Sequence, residues 1–310
     1  MIVKVEGLVK RYDKLVALDY LDLEVKEGEI FGLLGPNGSG KTTAINCILS
    51  LLKYDKGTIK IFDKSMGPDA YNLKKDIGII MQNVAVFDEL TVYENISYFC
   101  SLYINDREEV KRLTEEAIGF VSLEDYKKFY PKKLSGGLLR RLNIACGIVH
   151  KPKLIILDEP TVAVDPQSRN KILEGIKKLN EDGATIIYTS HYMEEVEQLC
   201  SNIAIIDKGK VIAKGTKEEL KAMISVGEKI TIEAYQVSDG QIHGLKALPN
   251  IYSVEYNDNL LEVKSGRGKN NLVQVLQYMS EQNINFGRVI TELPTLNDVF
   301  LEITGKELRD

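Results

Sequence analysis

The chain has 310 residues, of which 44% are hydrophobic and 27% charged, and its formal net charge is -5. That length fits one large domain or two, the composition supports real apolar cores, and the charge offers no basic field for a nucleic acid. Cys47, Cys100, Cys146 and Cys200 are scattered with no CxxC pair or Cys/His cluster, which suits reduced buried thiols in a cytosolic chain over a disulfide framework or a zinc site.

From the N-terminus, MIVKVEGLVKRYD alternates apolar and charged residues, so Ile2–Val9 is predicted to be a strand. It lacks the unbroken apolar core of a signal peptide, and no later apolar run approaches the ~20 residues of a membrane-spanning helix. A second alternating run, Leu21–Val25, reads the same way. The strand EIFGLLG then leads through GPNGSGKTT, Gly35 to Thr43, into the helix KTTAINCILSLL. This is the G-x-x-x-x-G-K-[ST] pattern between a strand and a helix. Its backbone, Gly35, Pro36, Asn37, Gly38, Ser39 and Gly40, can curl so that N–H groups face phosphate oxygens. Lys41 puts a point charge on the β/γ-phosphates, Thr42 presents a hydroxyl to Mg²⁺, and Thr43 continues the helix start.

Further strands are predicted at Thr58–Phe62, Ile77–Gln82, Lys153–Pro160, Ala184–Ser190 and Ile203–Asp207, with helical patterns such as RNKILEGIKKLN between the later ones. Short, wholly apolar strands alternating with helices mean a parallel sheet covered on both faces. Leu90 to about Lys133 holds no strand pattern and reads as an inserted helical segment. LSGGLLRR, Leu134 to Arg141, opens a helix on Ser135, Gly136 and Gly137, and bare N–H groups at a helix start make an anion site. LIILDEP buries a central strand and delivers Asp158 and Glu159 at its carboxyl end, where open α/β sheets bind ligands. Asp158 is placed for the Mg²⁺ shell, and Glu159 to orient or deprotonate an attacking water.

With these motifs in this order, residues from about Val3 to Lys217 resemble an ATP-binding-cassette (ABC) ATPase. The resemblance implies an α/β fold: a P-loop NTPase (RecA-like) core, an antiparallel β subdomain and an inserted helical subdomain at about 90–150. It implies ATP and Mg²⁺ as cofactors. Two cassettes would face each other head to tail, each ATP lying between one chain's phosphate loop and the other's Ser135–Gly137 signature. Carried over position by position, Tyr12 resembles the aromatic that stacks on adenine, and Gln82 the residue that reaches Mg²⁺ and the water. Asp165, in TVAVDP, lies where the family's dimer-contact Asp does. His191 resembles the switch His that hydrogen-bonds the γ-phosphate, while His150 and His243 match nothing. Two positions depart: Leu138 stands where the family usually has Gln, and VAVD where AGLD or SGLD is common.

The domains read as 1–220 for the ATPase and 227–310 for an accessory unit, with the boundary near Lys221–Gly227. The second unit runs strand (Lys229–Tyr235), helix, strand (Tyr252–Tyr256), strand (Leu260–Lys264), helix, strand (Arg288–Thr291). Leu272, Val275, Leu276 and Met279 share one helix face. This order suggests a small α+β, ferredoxin-like domain. The closing PTLNDVFLEITGK, Pro294–Lys306, resembles the ending of cassettes that serve ABC-2-type exporters, including those for drugs and antibiotics; Leu296, Val299, Phe300 and Ile303 share its apolar face. The resemblance implies an exporter ATPase on the inner face of the cell membrane. It would be bound to a separate integral-membrane permease through about Gln82–Tyr103, and paired with itself or a related cassette. The other readings are a soluble regulatory cassette and one acting on ribosomes or DNA. Neither a second cassette, a long coiled coil nor a basic arm in this sequence supports the latter.

Overall fold

The computed structural model describes Met1–Gly268 and Asn270–Gly305; Lys306, the last residue of the C-terminal motif, and the residues after it lie outside these. The chain divides into two compact units, Met1–Thr216 and a second beginning at Lys217. The division falls before a short helix that composition alone places with the first unit.

In the first unit the order is β1 (Val3–Tyr12), β2 (Leu15–Val25), β3 (Ile30–Leu34), α1 (Lys41–Ile48), β4 (Lys56–Ile61), β5 (Lys64–Ser65), α2 (Tyr71–Lys74) and β6 (Ile77–Ile80). The helical insertion follows as α3 (Val92–Ser101), α4 (Arg107–Phe120), two 3₁₀ turns (Glu124–Tyr126 and Pro131–Lys133) and α5 (Gly136–Ile148). Then come β7 (Leu154–Asp158), α6 (Pro166–Glu181), β8 (Thr185–Ser190), α7 (Met193–Leu199), β9 (Asn202–Asp207) and β10 (Lys210–Gly215).

The strands form two sheets. One, ordered β2-β1-β4-β5, is antiparallel throughout. It extends further than the sequence pattern indicates, because β1 and β2 form one long hairpin turning at Asp13, whose φ is +50°. The other runs β10-β9-β3-β8-β7-β6, parallel except for β10, which pairs antiparallel with β9 at the edge. Every residue of β3, β7 and β8 is buried, as a central strand covered on both faces requires. Helix α1 packs between the sheets: Ile45 and Ile48 join Val3, Val5, Leu23, Leu33, Ile156 and Ile187 in one core. Each such side chain contributes roughly 1.5–3 kcal/mol by burial, so the loop preceding α1 is anchored to a packed core. The strand that ends the predicted Ile77–Gln82 run stops at Ile80, leaving Gln82 in the following loop.

The second unit has α8 (Lys217–Ala222), β11 (Val226–Tyr235), α9 (Asp239–Lys246), β12 (Ile251–Asn257), β13 (Leu260–Gly266), α10 (Asn271–Glu281), β14 (Asn285–Glu292) and α11 (Leu296–Thr304). Its sheet is ordered β12-β13-β11-β14, each pair antiparallel. Val275 and Met279 of α10 pack on Ile230, Ile232, Val254, Leu261 and Val263, with Leu272 and Leu276 at the margin. In α11, Leu296, Val299 and Phe300 are buried, whereas Ile303 is 39% exposed and leaves the apolar face incomplete.

Candidate functional site

Three parallel strands end at one rim. β3 releases the loop Gly35–Gly40, β7 ends at Asp158 and Glu159, and β8 ends just before His191. The loop is shaped by Gly38 and Gly40, at φ +78° and +110°, values that cost a residue with a Cβ about 1–2 kcal/mol. It is pinned from outside by the Gly209 N–H, which donates to the Ser39 carbonyl at 2.8 Å, and from within by the Ser39 N–H, which donates to Pro36 O at 3.1 Å. The hydroxyl of Ser39 is buried without a hydrogen-bond partner among the described residues, as a loop with donors spare for an anion would have. Asn37 and Gly38 are exposed, and Gly35 is buried.

Lys41 begins α1 and is only 4% exposed. Its ammonium donates to Gly35 O at 2.8 Å and Pro36 O at 3.2 Å, and lies 3.1 Å from Glu159 Oε1. The Thr42 hydroxyl donates to Asp158 Oδ2 at 2.8 Å; Thr43 is half-buried one residue on. On its other oxygen, Asp158 accepts the Thr189 hydroxyl at 2.5 Å. Glu159 holds a left-handed backbone, φ +49°, with its N–H directed at Thr189 Oγ1 at 3.0 Å. Its second oxygen is 3.4 Å from His191 Nδ1. The six-residue strand β8 thus supplies an unpredicted residue, Thr189, which holds the Asp158 carboxylate and the Glu159 backbone. No spacing rule exposes it, because a Thr inside a strand is ordinary.

A second cluster forms around the other glycine pair. Ser135 caps α5, accepting the Leu138 N–H at 3.3 Å, and Ser135 and Gly136 are exposed while Gly137 is buried. A Cβ on Gly137 would stand 2.3 Å from Ser168 Oγ and 3.1 Å from Asp165 Oδ2. Glycine therefore lets α5 meet the first turn of α6. Asp165 caps α6 through the Ser168 N–H at 2.9 Å, and that backbone bond, then the Ser168 side chain, holds its carboxyl below the usual range. Ala163 occupies the place of the glycine common in the family's loop, at φ +58°. Among the described residues, Ser135, Gly136, Gly137 and Asp165 make no hydrogen bond to Lys41, Asp158, Glu159 or His191. Leu138 lies half-buried beside them.

Gln82 is exposed, but its carbonyl accepts Arg140 Nη2 at 2.7 Å, and Met81 O accepts Nη1 at 3.0 Å. Arg140, 6% exposed, stands one turn past Ser135 and joins α5 to the Gln82 loop. Burial pulls its guanidinium below the ordinary range. Tyr12 closes β1 with its ring 45% exposed and Lys10 Nζ 4.9 Å from the ring centre. Its open face suits a flat ring. His150 is stacked on Tyr103 at 3.9 Å, away from the chemistry.

A family profile described as "ABC transporter" matches residues 18–162, and one described as "ATP-binding protein DrrA1-3-like, C-terminal domain" matches residues 215–304. The linearmycin resistance ATP-binding protein LnrL of Bacillus subtilis (strain 168) is 37% identical over 98% of this chain and 99% of its own length. The daunorubicin resistance ATP-binding protein DrrA3 of Streptomyces coeruleorubidus is 33% identical over 99% and 97%. The Nod factor export ATP-binding protein I of Ralstonia nicotianae is 33% identical over 100% and 95%. Among solved structures, the dimeric post-hydrolysis state of the cassette MJ0796 bound to ADP and Pi superposes with a TM-score of 0.64. It is 30% identical, covering 69% of this chain and 98% of that one.

Proposed function

The chain belongs to the ATP-binding-cassette transporter family, as the ATP-binding and hydrolysing subunit of an exporter, and on that premise we propose how its residues divide the work. The observation that carries the reading is the placement of Glu159 between Lys41 at 3.1 Å and His191 at 3.4 Å. A phosphate chain cradled by the N–H groups of residues 35–43 presents the Lys41 ammonium with a denser anion than one carboxylate. Lys41 turns to the β- and γ-phosphates, and Glu159 is released to orient and deprotonate the attacking water. His191, at the other side of Glu159, donates to the γ-phosphate as charge builds there.

Thr42 and Asp158 fit Mg²⁺. A hydroxyl and a carboxylate already 2.8 Å apart make a small oxygen donor set that leaves coordination positions for phosphate oxygens and water. Among the described residues no group of three or more His, Cys, Asp or Glu could hold a metal by itself, so such an ion depends on the nucleotide for its remaining ligands. Gln82 is the further residue assigned to it. Held by these residues, the ion would supply positive charge against the negative charge that develops on the phosphates. Tyr12 stacks on adenine.

Ser135, Gly136 and Gly137 grip the nucleotide of a second cassette, a copy of this chain or a related one, with Asp165 at the same interface. The exposure of Ser135 and Gly136, away from the chain's own phosphate loop contacts, supports this. No described helix is long and apolar enough to cross a membrane. The reading pairs the chain with a separate integral-membrane permease, on the inner face of the cell membrane. The stretch from Gln82 to Tyr103 is the assigned contact. Phe87, Tyr98, Leu102 and Tyr103 are each at least 42% exposed there, an apolar patch of the kind that marks interaction sites. Relatives named for linearmycin resistance, daunorubicin resistance and Nod factor export support a cargo of one of those kinds. The reading assigns residues 1–220 to the ATPase and 227–310 to the accessory domain, although the compact units divide at Thr216.

The test is Glu159→Gln, which keeps shape and removes the base. With ATP it should elute from gel filtration as a dimer, and a tagged form should retain a polytopic membrane protein from detergent-solubilised host membranes. A monomer with ATP bound, even beside the permease, would overturn the shared site. Recovery of ribosomal, chromosomal or soluble partners alone would overturn the permease.

A further inference from the structure

In the first turn of α7 lies a buried carboxylate that the chemistry above does not use. Glu195 is 3% exposed. Its Oε2 accepts three hydroxyls: Tyr188 at 2.6 Å, Thr161 at 2.8 Å and Ser190 at 3.1 Å. Its Oε1 lies 3.3 Å from Nε of Arg169. Thr161 stands two residues after Glu159, Ser190 directly precedes His191, and Arg169 is in the first turn of α6, just past Asp165. The segments carrying Glu159, His191 and Asp165 thus each send one side chain to the same carboxylate. Burial and then the Glu195 charge push the Tyr188 phenol well above its usual range, so it remains a donor.

Two routes lead from Glu195 to the imidazole of His191. Along the backbone, Ser190 Oγ donates to Glu195 and accepts the Tyr192 N–H at 2.9 Å, fixing the chain on both sides of His191. Along side chains, the Arg169 guanidinium sits 4.7 Å from the Tyr192 ring centre, and that ring tilts against His191 at 4.2 Å. A buried carboxylate costs several kcal/mol to desolvate, and an apolar side chain would fill the same space without that cost. An acceptor-only group that gathers several hydroxyls is what the apolar alternative lacks. Glu195 Oε1 and Arg169 Nε, although adjacent, are both without a hydrogen bond among the described residues. The pair can tighten.

We propose that Glu195 is a positioning residue for ATP hydrolysis: through Ser190 and Arg169 it sets His191 against Glu159 and ties that placement to the Asp165 turn. The proposal rests on the assignment of His191 and Glu159 to hydrolysis made above. Displacing a reacting group by about 1 Å costs on the order of 100-fold, so a loosened His191 should cost roughly 10- to 100-fold in kcat.

The experiment compares Glu195→Gln, Arg169→Gln, Arg169→Lys, His191→Ala and the double variant Glu195→Gln/His191→Ala in the full chain. It follows kcat and KM for ATP, affinity for a fluorescent ATP analogue, and melting temperature. Glu195→Gln should lower kcat roughly 10- to 100-fold while KM and analogue affinity move less than about threefold. Arg169→Lys should recover activity that Arg169→Gln loses. The double variant should be no slower than His191→Ala by more than about twofold, because residues that act as a unit are not additive. Losses that multiply, or an unchanged kcat for Glu195→Gln, would overturn the proposal. If Glu195→Gln does not fold, Arg169→Gln, combined with His191→Ala in the same way, carries the test, with the same outcomes. A wild-type kcat for His191→Ala overturns the assignment beneath the proposal. That pattern is distinct from a slow His191→Ala beside a fast Glu195→Gln, in which the proposal alone fails.

Discussion

Thr189→Val deletes one hydroxyl at the centre of the site and leaves the branching of the side chain unchanged. Thr189 and Asp158 are both fully buried, so water does not readily replace what is lost. The hydroxyl donates to Asp158 Oδ1 at 2.5 Å and accepts the Glu159 N–H at 3.0 Å. Glu159 N–H also lies 3.2 Å from the Thr189 carbonyl and keeps a partner, so most of the penalty falls on Asp158. A hydrogen bond to a charged group is worth about 1.5–3 kcal/mol, and a buried acceptor left short costs a similar amount. The free energy of unfolding of the first unit should therefore fall by about 2–3 kcal/mol. For a unit of this size that corresponds to a melting midpoint lower by roughly 4–12 °C. Urea unfolding should show the lower midpoint with an unchanged slope, and KM for ATP should rise as Asp158 loses its fixed orientation. A loss below about 0.5 kcal/mol, within the range of ordinary surface substitutions, would refute the reasoning and mean that Asp158 finds another donor.

Three further outcomes follow from the geometry. Ala163→Gly should stabilise by about 0.5–1 kcal/mol in chemical denaturation, since relief of the left-handed strain exceeds the added entropy of glycine in the unfolded chain; a destabilised variant would mean that the exposed methyl makes a contact of its own. Gly137→Ala forces a Cβ to 2.3 Å from Ser168 Oγ and 2.7 Å from Ser168 Cβ. It should cost about 1–3 kcal/mol, with part recovered in a Ser168→Gly background, and wild-type stability would show that α5 and α6 separate freely. Burial pushes the Cys47 thiol up to about 11 from 9.0, and the thiols of Cys100, Cys146 and Cys200 are raised too. Because the folded state holds these protons more tightly than the unfolded one, their contribution to stability is intact below about pH 9 and is lost as pH rises toward 11. Thiol labelling at pH 8 should track unfolding, and rapid labelling of the native protein would contradict it.

The parallel strands β3, β7 and β8 were legible because burial on both faces demands unbroken apolar runs. The edge strand β10 was not, since its residues Lys210–Gly215 are mostly part-exposed and carry no clear period. The long first hairpin exceeded its pattern because its tip projects Leu15 and Val16 into solvent, so alternation there carries little signal. In the candidate site, the phosphate loop and the Asp158–Glu159 pair were legible because each is a contiguous stretch at the end of a strand. Thr189, Arg140 and Glu195 did not, because their roles exist only across contacts spanning 31, 58 and 34 residues. Gln82 illustrates the same limit: its carbonyl, not its side chain, makes the contact to α5.

The grip of Arg140 on two carbonyls has an evolutionary side. A guanidinium paired with a carboxylate would need an acid conserved opposite it and, if exposed, would weaken as salt rises. Main-chain carbonyls are supplied by any residue, so positions 81 and 82 are free to drift in side chain without loosening the joint between α5 and the loop. For that joint the side chain that counts is the one at position 140. A change of side chain at residue 82 would therefore alter what that residue touches while the link to α5 stays as it is.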